Sequence, residues 1–288
     1  MPIKNTVNRE HFLTSDGVCI SYNLKGEGTA LVFVHGWSGS QEDFAGSARR
    51  LAKKYKTLTY DQRGHGLSDR PLSGYNLKRL VRDLFELICE LELEKLVLIG
   101  HSMGGAVLLE YLKTFGPKGV AAIVLVDMSP KLINDENWDL GLYNGTYKEE
   151  NFKEDILSMK EDFQAHSFNF LKNMLPGLKD EKLRALIALR NKVVAPGYEP
   201  GLIMLWEDMA LMDYRRDLED IEIPVAVFRG EFSFHSEDCA LYMKSKLERG
   251  SIVEFKGCTH QLILENPRGF EREVENFIDK EGLGRNNG

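Results

Sequence analysis

The stretch Leu96-Val97-Leu98-Ile99-Gly100-His101-Ser102-Met103-Gly104-Gly105-Ala106-Val107-Leu108-Leu109 decides the fold. Its first four residues form an apolar run of strand character. Its last six are small or aliphatic, as in a helix packed closely on its neighbours. G-x-S-x-G lies between them, where strand turns into helix. A serine at such a corner takes strained backbone angles, so its flanks exclude large side chains. Gly100 and Gly104 leave room for strand and helix to approach. The Ser102 hydroxyl then stands clear of the backbone above a helix N-terminus, whose dipole favours developing negative charge. The five-letter pattern is weak alone; the strand before it and the helix after it give it meaning.

Upstream, His11 to Leu24 reads as a β-hairpin turning at Ser15-Asp16-Gly17, with Val18, Ile20 and Tyr22 alternating on one face. Ala30–Val34 is a continuous apolar run, the mark of a strand buried on both faces, and it ends at His35-Gly36-Trp37. A helix is expected from about Gln41 to Lys54. The strand Thr57–Tyr60 follows, ending in Asp61-Gln62-Arg63-Gly64-His65-Gly66-Leu67-Ser68. Asn76 caps a helix whose Leu77, Leu80, Val81, Leu84, Ile88 and Leu91 keep helical spacing. Val120–Val126 is a further strand, running into Asp127-Met128-Ser129-Pro130.

Downstream the alternation stops near Lys131. Helical stretches are expected at about 149–164, 168–175, 180–192 and 202–212, broken at Pro176-Gly177 and from Pro196-Gly197 through Pro200-Gly201. This segment carries Trp138, Tyr143, Phe152, Phe163, Phe168, Phe170, Met174, Trp206 and Met209. Most should pack between segment and core, and a minority should line a pocket. The alternation resumes with strand Ile223–Phe228, ending at Arg229-Gly230-Glu231. Then come a helix at about Ser236–Leu247, strand Ile252–Phe255, and the loop Gly257-Cys258-Thr259-His260-Gln261. A last helix is capped by Asn266 with Pro267 in its first turn. The tail from Gly282 reads as disordered. The expected architecture is α/β: a mostly parallel, doubly wound sheet with an N-terminal antiparallel hairpin. Residues 1–130 and 217–288 form the core, and 131–216 form a helical cap inserted after the sixth strand. In such sheets ligands bind at the carboxyl ends of the strands.

Composition narrows the function classes. The 288 residues carry 37 Lys and Arg against 44 Asp and Glu, a net charge of −7. No basic cluster suggests nucleic acid. No apolar run approaches the roughly 20 residues that span a bilayer, and no hydrophobic leader opens the chain. Cys19, Cys89, Cys239 and Cys258 are scattered, which points to free thiols in a reducing cytoplasm and to neither disulfides nor a zinc site. Oligomeric state has no signature here.

The chain resembles the α/β-hydrolase fold family, in the group with a helical cap that includes serine esterases and cofactor-free haloperoxidases. The resemblance rests on His35-Gly36-Trp37, Asp61-x-Arg63-Gly64-x-Gly66-x-Ser68, Gly100-x-Ser102-x-Gly104-Gly105 and a histidine after the last strand. It implies cleavage of an ester or related acyl bond through an acyl-enzyme, with neither metal nor organic cofactor. Ser102 would be the nucleophile and His260 its base. The backbone N–H groups of Trp37 and Met103 would form the oxyanion hole, with both side chains facing the substrate. His35 is expected beside the substrate as part of the same loop. His101 is expected to pack beside the nucleophile. Asp61 and Arg63 are expected to pair and hold their turn.

The acid of the triad departs from the commonest pattern of the family. Its usual place, three residues past Gly230, holds Ser233, which cannot carry the charge that steadies an imidazolium. Asp127, at the end of the preceding strand, is the preferred replacement, and Glu231 is the alternative. His235 has no role assigned from sequence.

The reaction expected is hydrolysis of a small or medium carboxylic ester. Perhydrolysis by the same triad is the alternative within enzymes, as is cleavage of an amide or carbon–carbon bond. A ligand-binding receptor on the same fold is the alternative outside them. Dehalogenase and epoxide hydrolase chemistry is disfavoured, because relatives doing it carry Asp at the Ser102 position. Activity should fall as His260 protonates, so a rate flat from pH 5 to 8 would count against His260.

Overall fold

A computed structural model describes residues 9–175, 177–193 and 198–284. The chain opens with β1 (Glu10–Leu13) and β2 (Cys19–Lys25), paired antiparallel with Phe12 opposite Ile20. Then come β3 (Ala30–Val34), α1 (Glu42–Leu51), β4 (Lys56–Tyr60), α2 (Leu77–Glu90), β5 (Leu96–His101), α3 (Met103–Phe115) and β6 (Val120–Val126). The segment after β6 carries α4 (Leu142–Gly145), α5 (Glu149–Glu161), α6 (Phe163–Met174), α7 (Asp180–Val193) and α8 (Glu199–Ala210). The chain closes with β7 (Val225–Gly230), α9 (Glu237–Lys246), β8 (Gly250–Phe255), α10 (Leu262–Glu265) and α11 (Pro267–Lys280).

Eight strands form one sheet in the order β1-β2-β4-β3-β5-β6-β7-β8. β2 joins β4 antiparallel, and every pairing from β4 to β8 is parallel. Every residue of β3, β5 and β7 is buried, as the unbroken apolar runs require of strands covered on both faces. The larger core cluster lies between the sheet, α2, α3 and the inserted helices; the second lies under α1 and α11.

Local signals account for most helix ends. Asn76 accepts from the Arg79 amide at 2.9 Å, Ser236 from Cys239 at 3.1 Å, and Asn266 from Gly269 at 3.0 Å. The inserted segment differs from expectation in two places. The helix read over 149–164 ends at Glu161, because Asp162 caps a new one: its carboxylate accepts from the Ala165 amide at 2.9 Å. Pro200-Gly201 does not break the chain. It lies in the first turn of α8, where a missing proline N–H costs no helical bond. The breaks expected at Pro176 and Pro196-Gly197 lie outside the described residues. In the tail, the Leu283 carbonyl accepts from the Thr29 hydroxyl at 2.8 Å, so the expected disorder does not begin at Gly282; residues 285–288 lie outside the description. Among the described residues no helix is long and apolar enough to cross a membrane.

Candidate active site at the carboxyl ends of the strands

The parallel ladder places two of the three candidate side chains. The Ser102 amide donates to the Val126 carbonyl at 2.9 Å, and the Asp127 amide donates to Phe228 at 2.7 Å. Both residues therefore continue the hydrogen bonding of their strands by one step and are fixed beside each other. Both also sit in the left-handed region, Ser102 at φ 54 and Asp127 at φ 53. For a residue with a Cβ this costs of order 1 kcal/mol or more, and it turns the side chain out of the strand direction. A Cβ at Gly104 would collide with the Val34 carbonyl, and one at Gly100 with the Gly104 backbone. The glycines of the motif are thus demanded by β3, β5 and α3 meeting at one point.

The loop after β8 brings in His260. Its Nδ1 stands 3.2 Å from Asp127 Oδ2, with both side chains almost wholly buried. No hydrogen bond joins them, and neither atom has another hydrogen-bond partner among the described residues. His101 Nε2 donates to the His260 carbonyl at 2.9 Å, tying the loop to the end of β5. The Thr259 amide and hydroxyl donate to Glu265 at 2.6 and 2.9 Å, which fixes the same loop from α10. The Phe234 ring stacks on His260 with centroids 4.2 Å apart.

Ser233 bears directly on Asp127. Its hydroxyl donates to Asp127 Oδ1 at 2.7 Å and accepts from the His235 amide at 2.9 Å. The residue at the vacant acid position therefore supports the carboxylate of the neighbouring strand. Glu231 points away: its Oε2 accepts from the Gly257 amide at 2.8 Å, and Lys256 lies 3.6 Å from its Oε1. The fold brings His260 and Asp127 together, sets Ser102 in the lining of the same cavity as His260, and leaves Glu231 outside.

Burial dominates the electrostatics. It pushes His260 down to about 3 and raises Asp127 above its usual carboxylate value. Burial, first of all, and the proximity of the second imidazole of His260 hold His101 at about 4, and burial holds His235 at about 3. His260 is thus a neutral imidazole across the whole neutral range. The loss of activity expected from its protonation moves below pH 5, and a rate flat from pH 5 to 8 no longer counts against it.

A cavity of about 510 Å³ opens over Ser102 and His260, a size suited to a small molecule. Trp37 lines it, as expected. Met103 and His35 do not. The Met103 side chain is buried in the larger core cluster, because the first turn of α3 aims it into the sheet–helix interface. His35 is buried beneath the loop, accepting from the Gln62 amide through Nε2 at 3.0 Å and facing its neighbour's Gly36 carbonyl through Nδ1 at 2.8 Å. It shapes the turn that presents Trp37. The Asp61–Arg63 pair also fails. Asp61 accepts from the Gln41 amide, the Gln41 side chain and the Leu67 amide at 2.8, 2.8 and 2.9 Å. Arg63 instead meets Asp83 at 2.6 and 2.8 Å and Asp16 at 3.0 Å.

Of the nine large side chains singled out in the inserted segment, Phe170, Met174 and Trp206 line the cavity. Sequence reading missed Leu171, Leu183 and Ile187 on the same wall, since helical spacing does not say which face meets the sheet ends. It also missed the anchor on Trp37. The indole Nε1 donates to the Leu202 carbonyl of α8 at 2.8 Å, and the ring lies within 5.9 Å of those of Phe163, Phe170 and Trp206.

Comparison with known proteins fits this geometry. The family model for the alpha/beta hydrolase fold matches residues 29–210. The chain is 25% identical to a non-heme chloroperoxidase from Kitasatospora aureofaciens, across 93% of this chain and 98% of the relative. It is 26% identical to a pimeloyl-[acyl-carrier protein] methyl ester esterase from Nitrosospira multiformis, across 88% and 95%. Its fold matches that of an esterase from Exiguobacterium antarcticum with a TM-score of 0.83, at 22% identity over 93% and 98% of the two chains. Carrying the strand–turn–helix corner, the eight-stranded sheet and this matched span, the chain belongs to the alpha/beta hydrolase fold family.

Proposed function

We propose that this chain is a serine esterase that hydrolyses a small or medium carboxylic ester through Ser102, His260 and Asp127. One observation carries the reading: His260 Nδ1 faces Asp127 Oδ2 at 3.2 Å, while His260 and Ser102 share the wall of one apolar cavity. Asp127 favours the tautomer with the proton on Nδ1, which leaves Nε2 free as base. Ser102 Oγ attacks the acyl carbon as its proton passes to His260 Nε2. The backbone N–H groups of Trp37 and Met103 hold the oxyanion of the tetrahedral intermediate. Collapse expels the alcohol, which takes the proton back from His260 and leaves an acyl ester on Ser102. Water then repeats the attack with the same base, releasing the acid.

Residues 131–216 serve in this reading as a cap that shapes the acyl site, and residues 1–130 and 217–288 as the catalytic core. A reducing cytoplasm fits the four unpaired cysteines. Perhydrolysis, with peroxide in place of water as acyl acceptor, is the second reading; similarity to the chloroperoxidase favours it.

The test is hydrolysis of p-nitrophenyl esters over a range of acyl lengths. Ser102→Ala and Asp127→Asn are each expected to lose roughly a thousandfold or more in kcat, and Glu231→Gln to stay near the parent. A silent Asp127→Asn would overturn the triad at its third member. With peroxide added, a perhydrolysis rate above the hydrolysis rate would favour the second reading. The kcat/KM profile should stay level from pH 8 to 5 and fall only below, because burial keeps His260 neutral there.

A further inference from the structure

The cavity walls are of two kinds. Phe170, Leu171, Met174, Leu183, Ile187 and Trp206 supply an apolar lining. The same lining includes three acidic residues, Glu42, Asp43 and Glu265, and among the described lining residues there is neither lysine nor arginine. These carboxylates are held in place. Asp43 accepts from the Ser40 amide at 3.0 Å, and Glu265 accepts from Thr259. Two features offset part of their charge: the N-terminus of α1, in whose first turn Glu42 and Asp43 lie, and Arg9, which pairs with Glu42. Arg9 also reaches within 3.9 Å of buried Asp61, so its single charge is divided between two anions. His101 and His260, the titratable groups beside Ser102, are held neutral by burial.

We infer that the site selects by charge, taking esters with an uncharged or cationic apolar acyl group and rejecting those with an anionic one. The inference rests on the esterase reading and deepens it. An anionic acyl end is penalised twice, by desolvation against the apolar wall and by repulsion from the carboxylate rim. A cationic end meets the same wall but is attracted by the rim, so the two penalties separate.

The experiment compares three six-carbon esters on the full chain: p-nitrophenyl hexanoate, mono-p-nitrophenyl adipate and p-nitrophenyl 6-aminohexanoate. At low ionic strength the adipate is expected about a hundredfold below the hexanoate in kcat/KM, and the aminohexanoate within about tenfold of it. Salt at about 0.5 M should narrow the adipate gap by screening the rim. An adipate as good as the hexanoate, or an aminohexanoate as poor as the adipate, overturns the charge filter while the esterase reading stands. Binding supplies a readout free of turnover, since Trp37 and Trp206 line the cavity and report its occupancy by fluorescence. Hexanamide should bind about tenfold more tightly than adipate monoamide. If it does so while no ester is cleaved, the esterase reading fails and the filter survives; equal binding, or none, overturns the filter.

Discussion

The ends of the strands and the inserted helices build the same cavity by different means. At the strand ends, backbone decides. Ser102 and Asp127 are set by ladder hydrogen bonds, and the glycines around them by the contact of β3, β5 and α3. In the inserted segment, side chains decide. α5 buries only Ile156 and Met159 of its thirteen residues, and the segment reaches the core through rings such as Phe170 and Trp206, which meet Trp37, and through single bonds such as Tyr198 N to the Gly64 carbonyl at 2.9 Å. A frame fixed by backbone holds the proposed triad in register, while a wall made of side chains can change shape without moving it.

The largest expected effect is acid loss of the strand-end cluster. His101, His235 and His260 have folded values of about 4, 3 and 3, all below the unfolded value of about 6.5. Between about pH 6.5 and 4 the unfolded chain therefore binds more protons, and stability falls as pH falls. Each buried imidazole contributes up to about 1.4 kcal/mol per pH unit in that window. Asp127, whose folded value is raised, works in the opposite direction. Urea unfolding at steps from pH 7 to 4.5 measures the slope. His235→Leu should leave stability at pH 7 near the parent and make the slope shallower. An unchanged slope would remove His235 from the account.

Gly104→Ala tests the frame itself. Its Cβ would enter the Val34 carbonyl, and backbone cannot yield as a side chain can. A loss of about 3 kcal/mol or more is expected. Phe152→Ala, at a partly buried ring of the inserted segment, should cost less than half of that. Equal losses in denaturant unfolding would erase the distinction between frame and wall.

Most of the frame was legible in the sequence, because its signals are local and rigid. Continuous apolar runs mark buried strands, and G-x-S-x-G between strand and helix marks the corner. Asn76 and Asn266 announce the helices that they cap. Three contacts were not legible, since each joins residues far apart in the chain. Arg63 pairs with Asp83 and Asp16 rather than with Asp61, two residues away, because Asp61 already accepts two bonds from Gln41 and one from Leu67. Ser233 reaches Asp127 across 106 positions, and the Trp37 indole reaches α8 across 165. Met103 and His35 were misplaced for a related reason. Sequence position sets where a backbone lies, but the face that a side chain takes depends on what packs against it.

Ser233→Ala probes the second of these long contacts. It removes a donor to the Asp127 carboxylate and leaves the buried His235 amide without its acceptor. A fall in kcat of about tenfold, with KM unchanged, is expected if the hydroxyl orients the acid. Ser233→Thr, which keeps the hydroxyl, should restore most of the rate. Loss of stability without loss of kcat would mark Ser233 as structural alone.

Trp37→Phe probes the joint between frame and wall, and its effect should be the smallest. The substitution keeps an aromatic ring among Phe163, Phe170 and Trp206 and removes the donor to the Leu202 carbonyl. One lost neutral hydrogen bond costs about 1 kcal/mol. The Trp37 amide, proposed for the oxyanion hole, sits on the same residue as the ring that the helices clamp. Loosening that clamp should therefore lower kcat by a few-fold and leave the acyl-length profile as it was. Suppose the profile shifts while kcat holds. The indole bond then shapes the wall and not the frame, and the inserted helices act on specificity alone.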